Sequence, residues 1–193
     1  MSHSEYVFAG TRVALIVRGK TDADHSPGVM AQHADAIRSN GSPVGYFGTA
    51  GEGSGYTTSA VLIGIRGEVY DLDGFKKHRP FYVDAARART YQVISTVLMI
   101  QVEPDQARRF DDFWDDLQQS PGRFRLLGRN CSTRASGAFR AAGIVNGGIP
   151  GLDTPDNLYR QIVTEAAHRC TSVSGYVGFT ARGNGMVLRV EAP

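Results

Sequence analysis

The segment Tyr91 to Val102, YQVISTVLMIQV, constrains the fold more than any other. Its apolar run is nearly unbroken and rich in β-branched residues, the pattern of a strand inside a sheet rather than at its rim. Pro104 follows at once and suits the first position of a helix. Ala107, Phe110, Trp114 and Leu117 then step by three, four and three, which predicts one apolar stripe on a helix over 104–119. Asp111, Asp112, Asp115 and Asp116 fall off that stripe and read as a solvated face rather than a cation site.

The other segments arrange themselves around this pair. Tyr6 to Arg18 reads as a strand, broken at Gly10, and Thr21 to Gly28 as a polar loop with a Ser-Pro turn signal. Val29 to Ser39 is expected to be a short helix, with Val29, Met30, His33, Ala36 and Ile37 at helical spacing and Asn40-Gly41 as its stop. The glycine-dense Gly41 to Gly55 is expected to be a loop, and Ala60 to Tyr70 a strand. Asn130 or Ser132 can cap a helix running to Ala142 and stopped by Gly143. Thr154-Pro155-Asp156 opens another, and Val173–Thr180 with Met186–Val190 form a hairpin about Arg182-Gly-Asn-Gly. Strands early, helices in the middle and a hairpin last predict an α+β fold in a single domain over 1–193.

Composition narrows the function classes. The chain has 193 residues with 21 Lys+Arg against 19 Asp+Glu, a formal net charge of +2, too balanced to imply nucleic acid or an acidic membrane surface. No stretch reaches the ~18 apolar residues of a membrane helix. Met1 to Tyr6 lacks the basic start and apolar run of a signal peptide, so synthesis in the cytoplasm without Sec export is expected. The two cysteines, Cys131 and Cys170, make no framework and have no zinc spacing, so neither a metal nor any cofactor is expected. Gly45 to Gly55 is not followed by the Gly-Lys-Ser/Thr of a phosphate-binding loop. Ser54 lacks the flanking glycine of a nucleophile elbow. That stretch is open to a second reading, a rim over the site with Tyr46, Phe47 and Tyr56 against a peptide or sugar.

Cys131 is the candidate nucleophile. In the first turn of its helix, free backbone N–H groups and the helix dipole favour the thiolate and could also hold an oxyanion. Cys131, Ala135, Ala138, Phe139 and Ala142 share one face, which turns the sulfur toward the body of the fold.

The segment Phe124 to Ile144, FRLLGRNCSTRASGAFRAAGI, resembles the cysteine-bearing segment of the circularly permuted NlpC-type, papain-like cysteine hydrolases. The preceding strand and helix and the later Asp153 to Tyr159 segment fit the same layout. The arrangement from Tyr91 to Tyr159 is similar to compact amidase-like effectors delivered by type VI secretion. The resemblance implies a papain-like fold in which a central antiparallel sheet packs against the cysteine-bearing helix. It also implies a Cys–His pair and hydrolysis of an amide bond, in peptidoglycan peptides or a protein substrate. For an effector it further implies an immunity protein, a secretion-apparatus carrier and delivery into the target-cell periplasm. Two alternatives stay open: an acyltransferase or deamidase working through a thioester on proteins, and a catalytically inactive papain-like domain that only binds.

The base is open among five histidines. His3 lies at the terminus, His78 is flanked by cations, and His168 reads as helical where unpermuted relatives carry the histidine at a strand start. His25 and His33 precede the cysteine, as permuted order requires. His25 is favoured for access, in its polar loop beside Asp22 and Asp24, and His33 is expected on a helix beside Met30 and Ile37. Permuted relatives tend to start the first strand with the histidine. Here Arg12 stands in that place, and arginine cannot act as a base near neutral pH. Asp22, Asp24, Asp35 and Glu52 are all available as a third, orienting group.

Overall fold

The computed structural model describes residues 3–26, 32–49, 64–147 and 154–193. One nine-stranded sheet carries the architecture, in the order β1-β9-β8-β6-β2-β3-β4-β5-β7. The strands are β1 (His3–Val7), β2 (Arg12–Arg18), β3 (His33–Ile37), β4 (Pro43–Thr49), β5 (Ile65–Tyr70), β6 (Ser95–Gln101), β7 (Arg123–Phe124), β8 (Cys170–Arg182) and β9 (Gly185–Glu191). All neighbours pair antiparallel. The helices are α1 (Leu72–His78), α2 (Ala85–Thr90), α3 (Pro104–Gln119), α4 (Cys131–Ala141) and α5 (Pro155–Glu165). This is the expected α+β layout, with the cysteine-bearing helix packed on a central antiparallel sheet. None of the described helices is long and apolar enough to cross a membrane.

The pleat divides the core. Val13, Leu15 and Val17 of β2 and Ala34 and Ala36 of β3 point to one face, where Phe110 and Trp114 of α3, Ala135 and Phe139 of α4 and Ile162 of α5 cover them. Ala14 and Ile16 of β2 with Val97 and Met99 of β6 point to the other face. There they meet Val177, Leu188 and Val190, because β8 leaves β6 after Gly175 and continues with β9 as a hairpin folded back over the sheet. A Cβ at Gly175 would run into the Glu191 carbonyl, so the bend needs a residue without one. The same face is completed by Phe47, Tyr70, Phe75 and Val83, around α1 and the turn that follows it. Burial on both faces explains the continuous apolar run of β6, an interior strand between β8 and β2.

Several expectations are corrected. The segment read as a helix over 29–39 holds β3 at His33–Ile37; residues 29–31 lie outside the described ones. Alternation decides it: Ala34 and Ala36 face one core while Asp35 and Ile37 face the other side. Asn40-Gly41 is not a helix stop but the turn of the β3–β4 hairpin. Arg38 N–H donates to the Ser42 carbonyl and Gly41 N–H to the Arg38 carbonyl, with Gly41 at φ 87. The glycine-rich stretch is likewise a strand, β4, over its described part, and the rest of it, with Glu52, Ser54 and Tyr56, lies outside the described residues. The glycines within β4 make room for neighbours rather than turns, as at Gly45, where a Cβ would run into Asp35 Oδ1. The acidic face of α3 is not wholly solvated either. Asp111 accepts hydrogen bonds from Ser39 N (3.1 Å) and Oγ (2.5 Å), and Asp115 pairs with Arg38, docking the β3–β4 turn onto the helix.

Candidate active site

Cys131 is the first residue of α4, and Asn130 holds it there. The Asn130 side chain accepts from Thr133 N–H at 2.9 Å, Thr133 Oγ1 accepts from Asn130 N–H at 2.8 Å, and Asn130 Nδ2 donates to the Leu126 carbonyl at 2.9 Å. This reciprocal cap takes the N–H of Thr133 and leaves those of Cys131 and Ser132 ahead of it outside the intrahelical ladder. Cys131 is 8% exposed, and Ala135, Ala138 and Phe139 carry its helix onto β3 and β4.

His33 opens β3, directly across from Arg18, the last residue of β2. Cross-strand partners and residues two apart share one face of a sheet, so Arg18, His33 and Asp35 project together. Asp35 is fully buried and Arg18 nearly so, and Arg18 Nε donates to Asp35 Oδ2 at 2.8 Å. The other carboxylate oxygen, Oδ1, lies 2.9 Å from His33 Nε2. That contact is close, but the N–H is out of line with it, so attraction of charge rather than a straight hydrogen bond holds the two together. The ring is walled by Phe47, stacked at 4.2 Å, and by Tyr82 at 6.0 Å. Tyr82 also covers the guanidinium of Arg18 at 4.4 Å.

From its place at the end of the sheet the imidazole is near enough to the Cys131 thiol for each to shift the protonation of the other. With Nε2 turned to Asp35, Nδ1 is the ring nitrogen available to the sulfur. Each group sets the protonation of the other. Burial alone would raise the thiol, but the charge and hydrogen bond of His33, with a further hydrogen bond from Ala34 N–H, bring Cys131 below the ordinary thiol range against the opposing charge of Asp35. Burial would likewise strip the imidazole of its proton, yet Cys131 and Asp35 hold His33 well above the ordinary histidine range. Asp35 stays ionised despite its burial because His33 and Arg18 both carry positive charge toward it. The shifts run in the directions that favour alternating charge along guanidinium, carboxylate, imidazole and thiol. Cys170, at the start of β8, is pushed the other way by partial burial.

The remaining histidines stand apart. His25 does not join Cys131: its Nδ1 accepts from Thr21 N–H at 3.2 Å within its own loop, and its N–H is taken by Asp22 at 2.7 Å. Asp22 and Asp24 therefore belong to that loop, not to the thiol. His3 pairs loosely with Glu5, His78 stacks on Tyr70, and His168 is exposed in a short turn after α5. Arg12 starts β2 at its other end, beside Gln101, so the strand end that meets the thiol is not the one it occupies. Asp35 is one of four carboxylates that the sequence leaves open. The alternation His33-x-Asp35 becomes informative only once the segment is known to be extended.

A cleft of about 380 Å³ opens beside His33, lined by Thr21, Gln32, Phe81, Tyr82 and Gln92 among others. Its flank is fixed by a buried ion pair. Lys20, with no exposed side-chain surface, donates to Asp156 Oδ1 at 2.8 Å and to the His25 carbonyl, over the ring of Tyr159. Asp156 also accepts from Ser26 Oγ and Arg160 Nε, and its own N–H donates to Gln32 Oε1, next to His33. Burial opposes ionisation here, but these hydrogen bonds bring the Asp156 carboxyl down to about 2. Among the described residues no group of three or more His, Cys, Asp or Glu side chains could hold a metal ion.

Among solved structures, the chain is similar to the crystal structure of TseH, a type VI secretion system effector. The TM-score is 0.49 at 12% identity, over 84% of this chain and 97% of that one. No family model matches the sequence, and no curated protein matches it.

Proposed function

We propose that the protein is a cysteine hydrolase that cleaves an amide bond in peptidoglycan peptides and acts as a secreted antibacterial effector. The observation that carries the hydrolase reading is the pairing of buried Cys131 with half-buried His33, backed by Asp35, with both partners shifted toward thiolate and imidazolium. A helix-start thiolate facing an oriented imidazole is the arrangement that acyl transfer needs. The substrate and the effector role rest on the resemblance of Phe124 to Ile144 to the permuted NlpC-type hydrolases.

In this reading the Cys131 thiolate attacks the amide carbonyl carbon, and the first-turn N–H groups of α4 hold the oxyanion. The tetrahedral intermediate collapses as the His33 imidazolium gives its proton to the departing amine, leaving a thioester on Cys131. Neutral His33 then takes a proton from water as the hydroxide oxygen adds to the thioester. Collapse releases the carboxylic acid and restores thiolate and imidazolium. Asp35 keeps the ring aimed throughout and stabilises its charged form. In this reading the departing amine sits in the cleft on the His33 side, which Gln32, Tyr82 and Gln92 line.

Incubation of the wild type and of Cys131→Ala with purified sacculi, followed by mass analysis of the fragments, tests this. New amide-cleavage products from the wild type only are expected. Identical profiles would overturn the peptidoglycan reading and turn the search to protein substrates.

A further inference from the structure

The mechanism above uses Cys131, His33 and Asp35 and leaves one buried charge beside them without a role. Arg18 is 3% exposed, although an arginine so deep in a domain is costly unless it is paired. Its position is determined by register. It ends β2 opposite His33, and its partner on the other neighbouring strand is Ser95, the first residue of β6. From there the Nε atom donates to Asp35 Oδ2 at 2.8 Å, while Nη1 lies at the long limit of 3.5 Å from Ser95 Oγ and Nη2 has no hydrogen-bond partner among the described residues. The guanidinium is therefore committed to Asp35 through one short bond and covered by Tyr82. On the far side of the carboxylate, Gly45 offers no Cβ, so Asp35 can fill the space opposite it on β4.

We infer that Arg18 is a positioning residue: it clamps Asp35 Oδ2, so that Oδ1 is presented to the His33 imidazole in one orientation, and it acts on Cys131 only through that chain. The inference rests on the hydrolase reading for its purpose but not for its test, which needs no substrate. A carboxylate held by one oxygen cannot rotate away from the ring it serves, and a buried carboxylate without its guanidinium would give up its charge more readily. Lysine is a poor replacement, since a point charge on a flexible stem does not reproduce the directed Nε bond.

The experiment is iodoacetamide alkylation of Cys131, followed by mass across about pH 5 to 9, where a thiol and an imidazole both titrate. The proteins are the wild type, Arg18→Met, Arg18→Lys, Asp35→Asn and the double variant Arg18→Met/Asp35→Asn. In Arg18→Met the rise of the alkylation rate is expected to move to higher pH, with a loss of about threefold to tenfold on the acid side, the scale of half to one unit in thiolate pKa. Arg18→Lys recovers part of that loss. In the Asp35→Asn background the further change Arg18→Met shifts nothing, because the two residues act in series. A profile for folded Arg18→Met that overlays the wild type overturns the inference, as does a double variant whose shift equals the sum of the two single shifts. Should Arg18→Met fail to fold, the double variant, which leaves no lone buried charge, is compared with Asp35→Asn alone. Matching profiles support the inference, and a further shift overturns it. Sacculi left intact by a wild type whose alkylation responds as expected would remove the peptidoglycan reading and keep Arg18 in this role.

Discussion

Gly45 stands directly across from Asp35 on the neighbouring strand, and the missing side chain at 45 is the space in which the Asp35 carboxylate lies. A Cβ there would meet Oδ1, the same oxygen that faces His33. Gly45→Ala is therefore expected to cost about 1–3 kcal/mol of stability, as overpacking of a filled interior does. It is also expected to slow Cys131 alkylation near neutral pH, because the carboxylate is displaced from the ring. Thermal unfolding and alkylation rates measured on the same preparation check both. An alanine variant with unchanged alkylation would mean that the carboxylate has another seat.

The two cysteines are shifted in opposite directions, Cys131 down through His33 and Cys170 up through burial. At pH values below the ordinary thiol pKa of about 8.5, Cys131 is expected to react at least tenfold faster than Cys170. Peptide mapping after a short exposure to iodoacetamide reads the ratio. Equal slow labelling at both positions would remove the thiolate from the account.

His33 and His25 are separated by one comparison. His33→Gln takes away the cation that favours the thiolate, so the alkylation profile should move to higher pH, with a loss of about tenfold or more near neutrality. His25→Ala should leave the profile where it is, since the Lys20 contact uses the backbone carbonyl and the ring is turned to Thr21. The reverse result would exchange their roles. On the proposed hydrolase reading the reactive form is thiolate beside imidazolium, which the lowered thiol and the raised imidazole both favour. Hydrolysis should therefore rise as Cys131 loses its proton and fall as His33 loses its own, the two steps belonging to the pair rather than to either residue.

Asp156 lies in the first turn of α5 with a carboxyl brought down to about 2. A carboxyl lower in the folded than in the unfolded chain stabilises the fold above the unfolded value, near 3.9, and this stabilisation fades as pH falls toward 2. Asp156→Asn leaves Lys20 buried and uncompensated and is expected to cost about 3–5 kcal/mol at neutral pH. Urea unfolding of both proteins at neutral pH and near pH 3 should show the gap narrowing in acid. A gap independent of pH would mean that the asparagine fails for reasons of shape alone.

The cysteine half of the site is written in local signals. Asn130 caps its helix, Gly143 ends it at φ 67, and small residues at 135 and 138 bring it close to the sheet. Each acts within a few residues of itself, so each can be read one segment at a time. The histidine half is different in kind. The segment His33–Ile37 contains two alanines and apolar residues at spacings a helix would tolerate, and it becomes a strand because β2 and β4 are there to pair with it. Asn40-Gly41, which closes the hairpin, is the local cue for that outcome and admits a helix stop equally well. On a helix, Asp35 would fall on a different face from His33, and Arg18 would have no reason to be near either. The juxtaposition of the three follows from strand register, which no short window of sequence contains.

Lys20 and the carboxylate that compensates it are 136 residues apart in the chain. Both reacting groups, His33 and Cys131, precede Asp156. A growing polypeptide thus possesses its full chemical complement well before the contact that fastens the end of β2 to α5 can form. Until that late segment docks, an ammonium remains stranded at the base of the loop leading to His33, and the flank of the cleft stays unlatched. The latch on this flank of the cleft is in this way supplied by the C-terminal part of the chain.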